Sequence, residues 1–480
     1  MTAVPSGPRS GILVSKFGGT SVADAARLRH VAALVAAEER PTVVVVSALA
    51  GTTDLLVRLA TGLREGHAVD AELAELEGRH RRVADDLAEG DPAAVAPLYA
   101  GIARVVGALG ALDPASLPPD ELADRVRAAG EDLSAPLLAH AVRAAGRPAR
   151  AVEARAVIRT DAAFGRAVPD EDALRELAAL HLGPLLDQGV VPVVQGFVGA
   201  AADGRTTTLG RGGSDLTATL LGAALDAEVD IWTDVDGILS GDPRSVDDPR
   251  VIDTLGFEEA VELAYFGAKV LHPGAAKHAV SRGLAVRIRN TFRPEGGGTL
   301  ILRERRGPPR IAAVAFKPGV ALIQVRSHPQ AMPYGFLARV FEILARHRLP
   351  VDLVATSHTS TAFTLDATAE IAEVTRELEA FADVEAHTGL ATLTVVGHGL
   401  LEEPGINGLI FWAVERTPVR LISQASDVSL SFVVREADAP ALVRRLHLTL
   451  IELREEGRLG EPEVGPADRP GAARGAGSST

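Results

Sequence analysis

A chain of 480 residues has room for roughly three domains, and 47% apolar with 23% charged residues is the balance of a globular protein, not a disordered one. A formal net charge of −14 argues against nucleic-acid binding, and the lack of cysteine excludes disulfides, thiolate metal sites and a cysteine nucleophile. Met1 to Gly11 lacks the apolar core of a leader peptide, and no apolar run is read as approaching the ~18 residues of a membrane span, so a soluble cytoplasmic protein is expected.

Up to about residue 305, short apolar runs alternate with longer helical patterns. Ile12–Ser15, Thr42–Ser47, Val190–Gln195, Val229–Thr233 and Ala285–Arg289 are predicted strands. The block Val43–Val46 is apolar on both faces, as a central parallel strand requires. Ala23–Glu39, Asp170–Leu186, Asp215–Ala227 and Phe257–Ala268 are predicted helices. Such alternation predicts an α/β sandwich around a mainly parallel sheet.

Beyond a charged, then Gly/Pro-rich stretch (Arg303 to Pro309), the sequence resembles itself. Gly335 is followed by Phe341 and Pro350-Val351-Asp352-Leu353-Val354; Gly405 is followed at like spacing by Phe411 and Pro418-Val419-Arg420-Leu421-Ile422. A further strand is predicted in each unit, Thr361–Ala367 and Ser429–Val434. Two tandem βαββ-like units are expected, then a Gly/Pro/Ala/Ser-rich tail with a disordered composition.

Four segments carry candidate chemistry. Lys16-Phe17-Gly18-Gly19-Thr20-Ser21 lies between a strand and a helix, where glycine N–H groups and a helix N-terminus can cradle phosphate and a lysine can reach it; a plain strand-to-helix turn is the alternative. Thr206-Thr207-Thr208-Leu209-Gly210-Arg211-Gly212-Gly213-Ser214-Asp215 opens another helix and adds a fixed cation and an N-capping carboxylate, more than a simple turn needs. Trp232-Thr233-Asp234-Val235-Asp236-Gly237 ends a parallel strand, with Asp242-Pro243-Arg244 close behind. Asp234 or Asp236 there serves Mg²⁺ indirectly, or ribose, or only the turn. In Phe266-Gly267-Ala268-Lys269-Val270-Leu271-His272-Pro273, Lys269 reaches a phosphate or merely complements a helix C-terminus.

Together these motifs resemble the aspartate kinase family, in its monofunctional, lysine-sensitive form, from about Val14 to Leu450. The resemblance implies an amino-acid-kinase αβα sandwich followed by two tandem ACT domains of ferredoxin-like βαββαβ form. The expected boundaries are a catalytic domain over 1–305, a linker over 306–317, ACT domains over 318–388 and 389–454, and a tail over 455–480. It further implies ATP with Mg²⁺ as cofactor, with no residue directly assigned to the metal, L-aspartate as substrate, an amino-acid effector (lysine first), and a homodimer or homotetramer through the ACT domains. No nucleic acid or membrane partner is expected.

Carried over by motif, Lys16 neutralises the transferring phosphoryl group and Asp215 orders the lysines. Ser47, Thr53, Glu131, Arg211 and Ser214 line the aspartate pocket, with Glu131 at the substrate ammonium and Arg211 at its α-carboxylate. Lys16, Gly18, Gly19, Thr233, Asp234, Arg244 and Lys269 face ATP. Met332, Gly335, Phe336, Leu337, Asp352, Ser357 and His358 would contact the effector. The nucleophile is a carboxylate with an ordinary pKa of about 3.9, already ionised at neutral pH, so no base is needed and none of the motifs supplies one; His272 is read as structural.

The effector region departs from the family twice. Thr356-Ser357-His358 stands where Thr-Ser-Glu is usual, and Ser423-Gln424-Ala425-Ser426-Asp427-Val428-Ser429 is one residue short and lacks a glycine. Weakened lysine feedback is therefore expected. Alternative readings are a kinase of the same superfamily acting on glutamate, N-acetylglutamate or a nucleoside monophosphate, and a catalytically silent amino-acid sensor.

Overall fold

The computed structural model describes residues 11–266, 272–305, 310–327, 335–368, 370–402 and 405–452. Lys269, Met332, the tail over 455–480 and the first part of the expected linker lie outside the described residues. The described chain falls into two compact units, one of residues up to 238 with 251–305, the other of 239–250 with residues from 310 onward.

The first unit is built on an eight-stranded sheet. Its strands run in the order Ala149–Val152, Val191–Gln195, Thr42–Val46, Leu13–Phe17, Glu228–Thr233, Val286–Asn290, Thr299–Leu302 and Thr254–Gly256. Every neighbouring pair is parallel except Val286–Asn290 with Thr299–Leu302, which fits the mainly parallel sheet expected. The valine block behaves as its composition demands. Val44 and Val46 join a core with the helices Ala25–Ala37 and Thr52–Glu65, while Val43 and Val45 are as fully buried. The stretch Asp170–Leu186 is two helices, Glu171–His181 and Gly183–Asp187. Pro184 lacks the N–H that a continuous helix would use there.

One expectation needs correcting. The helix Pro92–Gly110 has the length and apolar composition of a membrane span. Its Leu98, Ile102, Val106 and Leu109 nevertheless pack in the core with Leu76 and Leu87 of the helix Asp70–Ala88, so its apolar stripe has a partner inside the protein.

The second unit carries a six-stranded antiparallel sheet, ordered Val354–Thr356, Ser360–Asp366, Arg310–Ser327, Ala382–His398, Ser429–Arg435 and Leu421–Ser426. Both expected helices are present, Phe336–Arg346 and Ile406–Val414. Each follows a glycine (Gly335, Gly405) in the left-handed region, φ +84° and +88°, which glycine adopts without a Cβ penalty.

The threading differs from two units in succession. Residues 310–317, expected as linker, are the first half of the long strand Arg310–Ser327. Their Ile311 and Val314 share a core with Ala391, Leu393, Ile410 and Phe432, whereas Ala321, Ile323 and Val325 share another with Val340, Leu344, Phe363 and Ala382. The first ferredoxin-like half is thus inserted within the second. Two long strands run through both, because each half must borrow one to complete its sheet.

Residues 239–250, expected in the first domain, also pack here. The Val314 N–H donates to the Ser240 carbonyl at 2.9 Å, and Val246 joins the Leu393–Phe432 core. The Ser240 hydroxyl lies 2.7 Å from His447 Nε2, and His447 Nδ1 lies 2.8 Å from Glu452. This chain has the connectivity of a charge relay, but Ser240 and His447 are buried, so it is a clasp.

Candidate active site

Parallel strands deliver the ends of Leu13–Phe17, Thr42–Val46, Val191–Gln195 and Glu228–Thr233 to one edge of the sheet, with Lys16 beside Val45 on one side and Ile231 on the other. From that edge the Lys16 ammonium reaches Asp215 Oδ1 at 2.5 Å, with side chains 12% and 13% exposed. Asp215 sits in the first turn of the helix Gly213–Leu225, where the helix dipole favours a carboxylate. Gly212, at φ +72°, turns the chain into that helix. A Cβ on Gly212 would also fall 2.2 Å from the His272 ring, so His272 closes over this turn.

The glycine cradle is sterically specified at Gly19, whereas a Cβ on Gly18 would make only ordinary contacts. A Cβ on Gly19 would lie 2.9 Å from the Ala48 carbonyl oxygen, and one on Gly18 would lie 3.7 Å from Lys16 Nζ. The Gly18 N–H donates to Trp232 O at 3.3 Å. Beneath Thr233, Trp232 stacks on Phe17 at 5.7 Å, and the Arg289 guanidinium lies 4.4 Å from the Trp232 ring centre.

Glu131 comes from the 26-residue helix Pro119–Ala144 and is buried. Its carboxylate accepts the Ala48 N–H at 3.0 Å, next to half-buried Ser47. Burial pushes the Glu131 carboxyl up to about 8; that N–H and the Lys16 charge pull it only partly back. Gly130 permits this approach, because a Cβ there would be 2.7 Å from Ala48 Cβ.

The other predicted residues are distributed as follows. Thr53 is the exposed second residue of the helix Thr52–Glu65. Ser214 packs on Gly196, where a Cβ would come within 2.7 Å of its hydroxyl. Arg211 is exposed and, among the described residues, has no hydrogen-bond or ionic partner. Asp234 is exposed and accepts a long hydrogen bond from the Thr233 hydroxyl, 3.3 Å. Asp236 is held by Asn290 and Arg293, both at 2.7 Å, which is turn chemistry. Arg244 belongs to the second unit, 87% exposed and paired with Asp242 at 2.6 Å. In that unit Phe336 stands edge-on to Phe381, Leu337 and His358 are exposed, Ser357 bonds Ser360 at 2.7 Å, and Asp352 is ion-paired.

Sequence reasoning missed the carboxylates that hold the Thr206–Thr208 strand. Asp124 accepts the Gly165 N–H (2.9 Å), the Thr208 N–H (2.8 Å) and the Thr208 hydroxyl (2.6 Å), while burial raises its pKa. Glu121 holds Arg125 and Arg205 at 2.8 and 3.1 Å. Asp132 takes both arms of Arg155, at 2.7 and 2.9 Å, and the Gln195 amide at 3.0 Å. A signal was present: Glu121, Asp124 and Glu131 recur at helical spacing on one face of a helix otherwise rich in alanine and leucine.

The arrangement offers fixed positive charge, a glycine cradle and a buried carboxylate at the end of a parallel sheet. Among the described residues, no group of three or more His, Asp or Glu is arranged to hold a metal ion. The sequence matches the amino acid kinase family over residues 11–290 and an ACT domain over 393–450. It is 40% identical to lysine-sensitive aspartokinase 3 of Escherichia coli over 92% of this chain and all of that protein, and 36% identical to an aspartokinase of Chlamydia trachomatis over 91% of this chain and 97% of that one. Crystal structures of E. coli aspartokinase III superpose with TM-scores of 0.79, in complex with lysine and aspartate, and 0.76, in complex with aspartate and ADP. Both are 39% identical and cover 92% of this chain and at least 99% of theirs.

Proposed function

The chain belongs to the aspartokinase family, and from that premise we propose how its own residues share the work. The reaction moves the γ-phosphate of ATP to the side-chain carboxylate of L-aspartate, giving 4-phospho-L-aspartate, the first step of the aspartate pathway. The observation that carries the assignment of roles is the Lys16–Asp215 pair, a positive charge held rigidly beside the glycine cradle.

In this reading aspartate attacks as a carboxylate, and Lys16 offsets charge on the transferring phosphoryl oxygens while Asp215 fixes its ammonium. The Gly18 and Gly19 backbone lets phosphate approach closely. Bound with ATP, Mg²⁺ would screen the phosphate charge, and Asp234 would hold it indirectly. The Arg211 fork, unpaired among the described residues, suits the α-carboxylate of aspartate, and Glu131, once ionised, suits its ammonium. Ser47, Thr53 and Ser214 complete the pocket; Thr233 and Asp234, with Lys269, take the nucleotide side.

Lysine is the proposed effector, bound in the inserted ACT half by Gly335, Phe336, Leu337, Asp352, Ser357 and His358, with Met332. A homodimer or homotetramer through the ACT unit is the proposed assembly, supported by the exposed apolar Phe411 and Trp412 on one helix. The cysteine-free composition suits the cytoplasm. A coupled ADP-release or hydroxamate assay across aspartate, glutamate and N-acetylglutamate, repeated with lysine and threonine, tests the whole reading. Turnover preferring glutamate would overturn it.

A further inference from the structure

The acidic position proposed for the effector already holds an ammonium of the chain itself. Lys317 Nζ lies 2.8 Å from Asp352 Oδ2 and 2.7 Å from Asp366 Oδ1. The Asp352 side chain is 1% exposed, whereas Asp366 is half in water. A carboxylate as buried as Asp352 is costly unless it is paired, and Lys317 supplies the pairing. Burial alone would depress the Lys317 ammonium, but the hydrogen bonds to Asp352 and Asp366 outweigh it and hold its pKa above the ordinary lysine range.

The backbone delivers this lysine by a register change. Lys317 pairs with Thr392 and Val320 with Leu390, so three steps along Arg310–Ser327 match two along Ala382–His398. The extra residue is a β-bulge at Pro318-Gly319, and a bulge re-aims the neighbouring side chain. Pro318 has no N–H to lose from a ladder, and Gly319 takes φ +69°, a conformation that suits glycine. The Gly319 N–H is capped by Glu436 at 3.0 Å, and its carbonyl accepts the Ala367 N–H at 2.8 Å. On the receiving side the Asp352 N–H donates to Thr364 O and the Leu353 N–H to the Thr364 hydroxyl, both at 3.0 Å. Both ends of the contact are therefore held by backbone hydrogen bonds. Lys317 leaves the half-strand of the outer ACT core and enters the acidic site of the inserted one.

We propose that Lys317 is a tethered competitor for the effector's ammonium, so that free lysine engages Asp352 only by displacing it and feedback on this chain is intrinsically weak. The proposal rests on the reading of Asp352 as an effector contact. A group held on the same chain acts at an effective concentration on the order of millimolar or higher, so lysine well below that range competes poorly.

The test uses the full-length protein and L-lysine. Lys317→Met keeps the length of the side chain and removes the charge that Lys317 brings to the buried Asp352. The expected result is a lower melting temperature in the absence of lysine, partial restoration by L-lysine, and a half-inhibitory lysine concentration at least about tenfold below that of wild type. Lys317→Gln, which retains an N–H donor for Asp352, carries the same measurements should the methionine variant not fold. Unchanged half-inhibition with no thermal response to lysine overturns the proposal. Asp352→Asn separates the two readings. If it abolishes lysine inhibition of wild type while Lys317→Met does not strengthen it, Asp352 is an effector contact and the tethered competitor is wrong. If it leaves inhibition of both wild type and Lys317→Met intact, the effector binds elsewhere, and the underlying reading fails.

Discussion

The Lys16 ammonium and the Asp215 carboxylate stand 2.5 Å apart, one near the end of the central strand Leu13–Phe17 and the other in the first turn of the helix Gly213–Leu225. Asp215 therefore fixes the direction of Lys16. Removing Lys16 leaves that carboxylate facing incoming phosphate without a counter-charge. Lys16→Ala is expected to lower kcat by roughly 10²–10³ with the fold retained. Asp215→Ala should cost less. The double variant should be no worse than Lys16→Ala, because the two act as one unit. Steady-state kinetics with circular dichroism checks this; strictly additive losses would mean the two residues work separately.

Arg211 is exposed and lacks a partner among the described residues, so its guanidinium is available to a ligand carboxylate. Arg211→Lys keeps the charge and loses the planar fork. The KM for aspartate is expected to rise about tenfold or more, which corresponds to ~1.4 kcal/mol, while the KM for ATP changes little. Equal changes in both would assign Arg211 to the nucleotide.

Glu131, raised to about 8 by burial, makes stability depend on pH in a defined direction. Its ordinary value is 4.5, so between about 4.5 and 8 the folded protein holds a proton that the unfolded chain has released. Stability from this group is complete below 4.5, is lost as pH rises through that window, and is flat above it. Glu131→Gln should therefore melt higher than wild type at pH 8.5 and close to it at pH 5. If ionised Glu131 meets the substrate ammonium, the wild-type KM for aspartate falls as pH rises toward 8, and in the variant it is weaker and flat. A wild-type KM without pH dependence would remove Glu131 from the ammonium site.

At Gly130 two effects oppose each other. Alanine in a helix interior is favoured over glycine by about 1 kcal/mol. A Cβ at this position, however, would sit 2.7 Å from Ala48 Cβ and 3.1 Å from Leu56 Cδ1. Ala48 also donates its N–H to Glu131. Gly130→Ala is expected to shift melting by only a few degrees yet to raise the aspartate KM severalfold, since the loop carrying Ser47 and Ala48 must move. Measured kinetics unchanged from wild type would show that the loop yields freely.

The central parallel strands and the glycine turns were legible because their physics is local, whereas the pairing of Lys16 with Asp215, far apart in the chain, was implied only by the family resemblance. A both-faces-apolar run such as Val43–Val46 can only be an inner strand, and a glycine-rich turn entering a helix announces an anion cradle within a dozen residues. Asp124 was not legible in the same way. Its helical spacing with Glu121 and Glu131 marks an acidic face, but not its partners, until the Thr206–Thr208 strand, far along the chain, brings the Thr208 N–H and hydroxyl to it.

Sequence alone determined that an α/β unit precedes two βαββ-like units, since hydrophobic period and turn chemistry are written in consecutive residues, while the resemblance of the motifs to aspartate kinases supplied the kinase and ferredoxin-like readings. Tertiary structure decided how those units are threaded and which charges meet. Residues 310–317 read as a linker because the stretch before them is charged and rich in Gly and Pro, yet the second half has no other strand to complete its sheet, so they pair with Ala382–His398. In the sequence Lys317 is marked only by the Pro318-Gly319 that follows it. Its role was set by a bulge and by two aspartates that only the folded sheet brings within 3 Å, because a buried carboxylate takes the nearest cation the fold can supply.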